Sequence, residues 1–200
     1  MSVDKQDPRI GPNAILQVIA ALRKRHGEAV TLEVMSRAGL AALIEHPPEH
    51  MVAERHVIAL HGGVRRALGP QAAQTVMIGA GLGTGDYLLA HRIPALAQRV
   101  LGAVPARLAS RLLLAAIARH TWTFAGSGRC TFETGHPVLV TIRDCPACRG
   151  EHAAAPLCDY YAATFERLYG VLVHPATRVR ETTCIASGAD ACRFEISWSR

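Results

Sequence analysis

The chain has 200 residues, half of them hydrophobic, which is enough for one domain with a substantial core and short for two. Charged residues make up only 19% and aromatics 5%, so neither a long disordered region nor a stacking surface for nucleic acid is expected. Net charge is +6, from 22 Lys+Arg against 16 Asp+Glu, and since Lys5 and Lys24 are the only lysines the excess is nearly all arginine, a side chain suited to forked recognition of carboxylates.

The polar N-terminus lacks an apolar signal-peptide core, and residues 1–8 are expected to be flexible. Gly11-Pro12-Asn13 opens a helix to about Arg25, with Ile15, Leu16, Ile19 and Leu22 on one face and Gly27 as its stop. A shorter helix is expected over 32–37, and His46-Pro47-Pro48 breaks the chain. The helical pattern resumes over 51–68, closed by Gly69-Pro70, and again over 71–91. Arg92-Ile93-Pro94 ends that segment, because proline disfavours helix in the residue before it. Residues 96–101 and 105–119 complete the helical part, with Pro105 placed in a first turn where its missing N–H costs little.

From Thr121 the pattern changes. Trp122-Thr123-Phe124, Cys130-Thr131-Phe132 and residues 138–142 are short β-branched or aromatic runs separated by glycine-rich turns, and read as strands. One more helix, over 155–168, precedes two final strands, 178–185 and 192–198, joined through Ser187-Gly188-Ala189-Asp190. The expected class is α+β: helices packed on an antiparallel sheet, in one domain spanning 9–200. The longest apolar stretch, 78–90, is interrupted by glycines and Asp86 and is too short to span a bilayer. A cytoplasmic location follows as the expectation, with the six cysteines as thiols or metal ligands rather than disulfides.

Three candidate ligands cluster near the C-terminus. Glu181 and Cys184 close one strand, Cys192 begins the next, and a hairpin would bring the two thiols together. Upstream, Cys158 falls in the first turn of the last helix, where a helix N-terminus favours thiolate. Three sulfurs and a carboxylate can fill a closed tetrahedral zinc site. The residues alone equally allow Cys158 as a buried apolar side chain and Glu181 as a solvated strand residue. A second pair, Cys145-Pro146-Ala147-Cys148, has CxxC spacing and four open roles: a redox pair, part of a second metal site, a competitor for the same zinc, or thiols shaping a loop.

The run Gly79-Ala80-Gly81-Leu82-Gly83-Thr84-Gly85-Asp86 fails the dinucleotide fingerprint. The spacing is wrong, no strand precedes it, and no acidic residue follows until Glu133. No nucleotide cofactor is expected; close helix packing or approach to a flat ligand accounts better for the glycines. Between Asp86 and Glu133 the chain is acid-free but holds Arg92, Arg99, Arg107, Arg111, Arg119 and Arg129 with His91 and His120. Arg107 and Arg111 share a helix face. Such one-sided charge suits an anionic partner, while the absence of a nucleic-acid motif argues against DNA or RNA.

The segment from Glu181 to Phe194, with Glu, two residues, Cys, then Gly and Cys-x-Phe, resembles the closing motif of vinyl-4-reductase-type domains. Related phenol-sensing domains bind zinc through this motif and an upstream cysteine, a position matched here by Cys158, 23 residues before Glu181. The resemblance thus implies structural zinc at Cys158, Glu181, Cys184 and Cys192. Arg9-Ile10-Gly11-Pro12-Asn13-Ala14, His91-Arg92-Ile93-Pro94 and Trp122-Thr123-Phe124-Ala125-Gly126-Ser127-Gly128 extend it to the bacteriochlorophyll 4-vinyl reductase family, over about residues 9–198.

That family resemblance implies a fold like those of small trafficking-complex subunits and nitric-oxide or phenol sensors, often dimeric, so a homodimer is expected. It also implies a part in bacteriochlorophyll synthesis, by one of two routes. The first is reduction of the 8-vinyl group of a divinyl (proto)chlorophyllide; the second is carriage of a magnesium tetrapyrrole, with other enzymes of the same synthesis as partners. Reduction needs a hydride or electron source, and no motif for one is visible, which favours the carrier. A small-molecule sensing domain is the third reading. For a carrier, His91 and His120 are the candidate magnesium ligands, and Arg92, Trp122 and Phe124 the candidate pocket residues. Membrane contact is expected to be peripheral at most, at the photosynthetic membrane.

Overall fold

Gly27 sets the course of the first helix. In the computed structural model, which describes residues 7–199, helix α1 (Asn13–Arg37) runs through a break at that residue, whose φ of 78° only glycine adopts without strain. The sequence stop at Gly27 therefore falls where expected, but the next helix starts at once and not at residue 32. The expected flexible segment, 1–8, lies outside the described residues except for its last two positions.

Before α1 stands a two-residue strand, β1 (Arg9–Ile10), which pairs antiparallel with β2 (Val52–Ala53). Helix α2 (Ala42–Glu45) lies between them in sequence. Helices α3 (Glu54–Leu68) and α4 (Pro70–His91) follow with bounds close to those expected, because Gly69 closes the first and Pro70 opens the second. Helices α5 (Ala95–Ala103) and α6 (Ala106–Ala118) form a pair behind Pro94 and Pro105. Among the described residues no helix is long and apolar enough to cross a membrane.

Residues 122–124 correct the sequence expectation. They form part of a one-turn helix, α7 (Trp122–Ala125), and not a strand. Aromatic and β-branched residues favour strands only when a neighbour completes the ladder. Here the backbone finds other partners: the Gly11 N–H donates to the Thr123 carbonyl at 2.7 Å, and the Tyr161 hydroxyl to the Phe124 carbonyl at 2.7 Å.

The sheet comprises β3 (Arg129–Glu133), β4 (Val138–Arg143), β5 (Arg178–Thr183) and β6 (Cys192–Ser197), ordered β3-β4-β6-β5 and antiparallel throughout. Its inner strands alternate buried and half-buried residues, so Val138, Val140 and Ile142 share one face with Cys192, Phe194 and Ile196. Helix α8 (Asp159–Leu172) packs there, Phe194 meeting Tyr161 and Phe165 edge-on. It starts four residues later than the sequence indicated, Cys158 serving as its N-cap. The result is the expected α+β class, with helices against an antiparallel sheet.

The glycine run belongs to the contact between α4 and α8. A Cβ on Gly81 would strike the Tyr160 carbonyl and lie 2.8 Å from Ala163 Cβ, and one on Gly85 would lie 2.7 Å from Arg167 Cβ. Thr84 adds a hydrogen bond to the Tyr160 hydroxyl at 2.8 Å. Gly81→Ala is therefore expected to destabilise the chain by about 1–3 kcal/mol despite alanine's better helix propensity, measured by denaturant unfolding. A neutral or stabilised variant would contradict this packing.

Candidate metal centre

Two separate stretches deliver thiols to one place. After β4, Asp144 turns the chain with a left-handed φ of 52°, and the loop to α8 carries Cys145, Cys148 and Cys158. The β5–β6 connection supplies Glu181 from the strand, Cys184 before a short 3-10 turn (Ile185–Ser187), and Cys192 at the start of β6. The Ala153 N–H donates to the Ala186 carbonyl at 2.9 Å and ties the loop to that turn.

Helix α3 holds the loop from the other side. Arg65 Nη2 donates to the carbonyls of Ala147 at 2.7 Å and Leu157 at 2.9 Å, next to a cysteine in each case. Arg149, one residue past Cys148, bonds the Asp144 carbonyl and pairs with the buried Glu54 carboxylate at 3.0 Å. The Ser127 hydroxyl donates to the same carboxylate at 3.1 Å. In the sequence Arg65 and Glu54 read as ordinary residues of an amphipathic helix, and nothing in their spacing marks them.

The five thiols are free and none is more than 1% exposed. Their sulfurs stand 3.6 Å apart for Cys158–Cys192, 3.8 Å for Cys184–Cys192, 4.0 Å for Cys158–Cys184, 3.7 Å for Cys145–Cys158 and 3.4 Å for Cys148–Cys192. Zinc with Zn–S bonds of about 2.3 Å at tetrahedral angles would separate its sulfurs by about 3.8 Å. The spacing fits that ion. It is too tight for a cubane iron–sulfur cluster, whose cysteines sit on separate irons.

Glu181 completes the set. Its Oε2 accepts the Cys158 N–H at 2.7 Å, while Oε1 is buried without a partner. Its ligand atom lies within 4.8 Å of those of Cys158, Cys184 and Cys192. Burial, with the Cys184 thiol beside it, pushes its carboxyl up to about 8. Among the thiols, hydrogen bonds from Cys145, Cys158, Cys184 and Cys192 hold Cys148 far below the ordinary range, whereas contacts with Cys145 and Cys148 push Cys158 and Cys192 up. Such a group shares few negative charges by itself, and a bound cation would reverse that and release protons.

The sequence pairing of Cys158, Glu181, Cys184 and Cys192 is thus a spatial one. Cys145 and Cys148 stand against the same centre and are not confined to a remote loop. Cys130, half-buried on β3, belongs to neither four-donor group.

The five residues singled out for pigment are spread over three elements. His91 and Arg92 are exposed at the end of α4, both against Tyr87, with the guanidinium 5.9 Å from the ring centroid. His120 is exposed after α6, its Nδ1 2.8 Å from the Ala116 carbonyl. Trp122 is 60% exposed, and Phe124 packs edge-on against Tyr161 and Phe165. None lines either of two cavities. One of about 480 Å³ lies between α1 and α2, near Leu16, Arg23 and Ile44. The other, about 250 Å³, is lined by Arg107, Ser110, Arg111, Thr134, Gly135 and His136. His136 escapes a sequence reading because it stands alone in a turn.

Residues 138–197, which hold all five clustered thiols, match the vinyl-4-reductase domain. An H-NOX protein mutant from K. algicida in the unliganded Fe(II) state shares the fold, with a TM-score of 0.63 at 8% identity over 96% of this chain and 97% of that one. The chain is thus a vinyl-4-reductase-domain protein built on an H-NOX-like fold. It is 46% identical over 188 residues to the bacteriochlorophyll synthase 23 kDa chain of Cereibacter sphaeroides, covering 94% of this chain and 90% of that one. The Rhodobacter capsulatus protein of the same description is 42% identical, covering 94% and 86%. The chain belongs to the family of bacteriochlorophyll synthase 23 kDa chains.

Proposed function

We propose that the chain serves bacteriochlorophyll synthesis as a carrier or chaperone for a magnesium tetrapyrrole, with structural zinc at Cys158, Glu181, Cys184 and Cys192. The observation that carries the reading is its identity, over nearly the whole chain, to relatives described as chains of bacteriochlorophyll synthase. Association with other components of that synthesis is part of the proposal, as is a homodimer. The zinc reading draws on the sulfur spacing and on the partnerless Glu181 oxygen. Protein atoms fill all four positions, leaving none for a substrate, so the ion's part is to hold the loop and hairpin together. Carriage is favoured over reduction because the glycine run is used in packing α4 on α8 and offers no loop for a pyrophosphate.

For the pigment, the arrangement favours the α5–α6 pair. Leu96, Val100, Leu108 and Leu112 are exposed there, interspersed with exposed Arg99, Arg107 and Arg111. Arg107 and Arg111 face the same cavity as His136. Guanidinium groups can hold a carboxylate, an imidazole nitrogen can ligate magnesium, and the leucines offer an apolar surface to the ring. Arg107→Ala/Arg111→Ala is expected to weaken binding of a magnesium tetrapyrrole at least tenfold, read by absorbance titration, and His136→Ala to shift the bound pigment's bands. Unchanged affinity and spectrum in these variants, with loss in His120→Ala or His91→Ala, would move the site to the end of α4 and the α6–α7 turn.

A further inference from the structure

We propose that the centre holds two zinc ions and not one, bridged by the thiolates of Cys158 and Cys192; this rests on the zinc reading above and extends it. One ion takes Cys158, Glu181, Cys184 and Cys192. The second takes Cys145, Cys148, Cys158 and Cys192.

The geometry behind this is an overlap of two complete donor sets. In each set the four ligand atoms lie within 4.8 Å of one another, and the sets share Cys158 and Cys192. Two tetrahedra with a common edge have this arrangement: six donors, two of them shared, fill every position around two ions. The shared edge measures 3.6 Å, and the second set adds contacts of 3.7 Å from Cys145 to Cys158 and 3.4 Å from Cys148 to Cys192. These match the edge of about 3.8 Å expected for zinc thiolate as well as the first set does.

A single ion leaves a chemical remainder. Cys145 and Cys148 would then be protonated thiols, fully buried, pressed against metal-bound sulfurs and held only by weak S–H contacts. Admitting the second ion displaces those two protons, so the formal charge of the centre does not change. Each bridging sulfur shares its electron pairs between two ions, as in the binuclear zinc modules of DNA-binding proteins. The loop is also fastened as a metal-bearing loop requires. Arg65 bonds the Ala147 carbonyl between the two cysteines, and the Glu54–Arg149 pair secures the residue after them.

The test is a metal count on the full chain. The protein is loaded anaerobically with zinc, freed of excess metal, and measured by native mass spectrometry and elemental analysis. Two zinc ions per chain are expected, falling to one in Cys145→Ser/Cys148→Ser, which keeps the first set whole. Cadmium-113 substitution is expected to give two resonances in the wild type and one in that variant. One ion in the wild type overturns the second ion while leaving the structural zinc intact. No ion overturns both readings, and two ions in the double variant overturn the assignment to Cys145 and Cys148. The wild-type count decides even if the variant folds poorly.

Discussion

Cys192→Ser is expected to strip the centre of metal and to cost more stability than loss of any other cysteine. Cys192 belongs to both donor sets, it is fully buried, and it sits at the start of an inner strand opposite Ile142. Serine's hard oxygen is a poor replacement for a bridging thiolate, and its buried hydroxyl would face sulfurs in place of good partners. Structural zinc contributes about 10–16 kcal/mol of apparent binding energy in peptides that fold only with metal. This chain has its own apolar core, so only part of that depends on the ion, and a loss of about 4–8 kcal/mol is expected. For a chain of this length that corresponds to a fall in melting temperature on the order of 10–20 °C, measured by calorimetry alongside metal content. Cys130→Ser is the control, expected to keep full metal. A Cys192→Ser protein with wild-type zinc and a melting point within a few degrees would contradict the centre as described.

Arg65→Met is expected to have the second largest effect, although the side chain is no metal ligand. Its two hydrogen bonds fix the carbonyls of Ala147 and Leu157, and so the backbone that presents Cys148 and Cys158. Bonds to a charged donor contribute about 1.5–3 kcal/mol each, and their loss would leave two carbonyls short of a partner. Some of that is returned, because the buried Nη1 has no partner and methionine removes it. The net expectation is about 2–4 kcal/mol by denaturant unfolding. Groups that orient ligands typically change metal affinity by about 10–100-fold, so zinc affinity by chelator competition should fall within that range. Destabilisation with unchanged zinc affinity would make Arg65 a packing residue only.

Much of the fold is legible where residues punctuate the chain. Gly69-Pro70 separates α3 from α4, and alternation along 138–142 and 192–197 marks the inner strands. The four residues of the vinyl-4-reductase-type motif are legible from their spacing and come together in space. What spacing does not reveal depends on contacts between distant segments. Nothing periodic marks the loop after Arg143, so the arrival of Cys145 and Cys148 against Cys192 requires the tertiary fold. Trp122-Thr123-Phe124 has strand composition, but its carbonyls are taken by Gly11 and Tyr161, both far away in sequence. The candidate pigment residues rest on side-chain chemistry alone, and the structure leaves His91, His120 and Trp122 on exposed ends of separate helices.

The most direct test of the central claim is an anaerobic absorbance titration of the zinc-loaded chain with a divinyl magnesium tetrapyrrole, before and after addition of NADPH. A carrier gives a saturable shift of the pigment bands near one equivalent, unchanged by NADPH. No saturable shift would contradict pigment binding, and progressive conversion to the monovinyl spectrum over many turnovers would contradict carriage and make the chain a reductase.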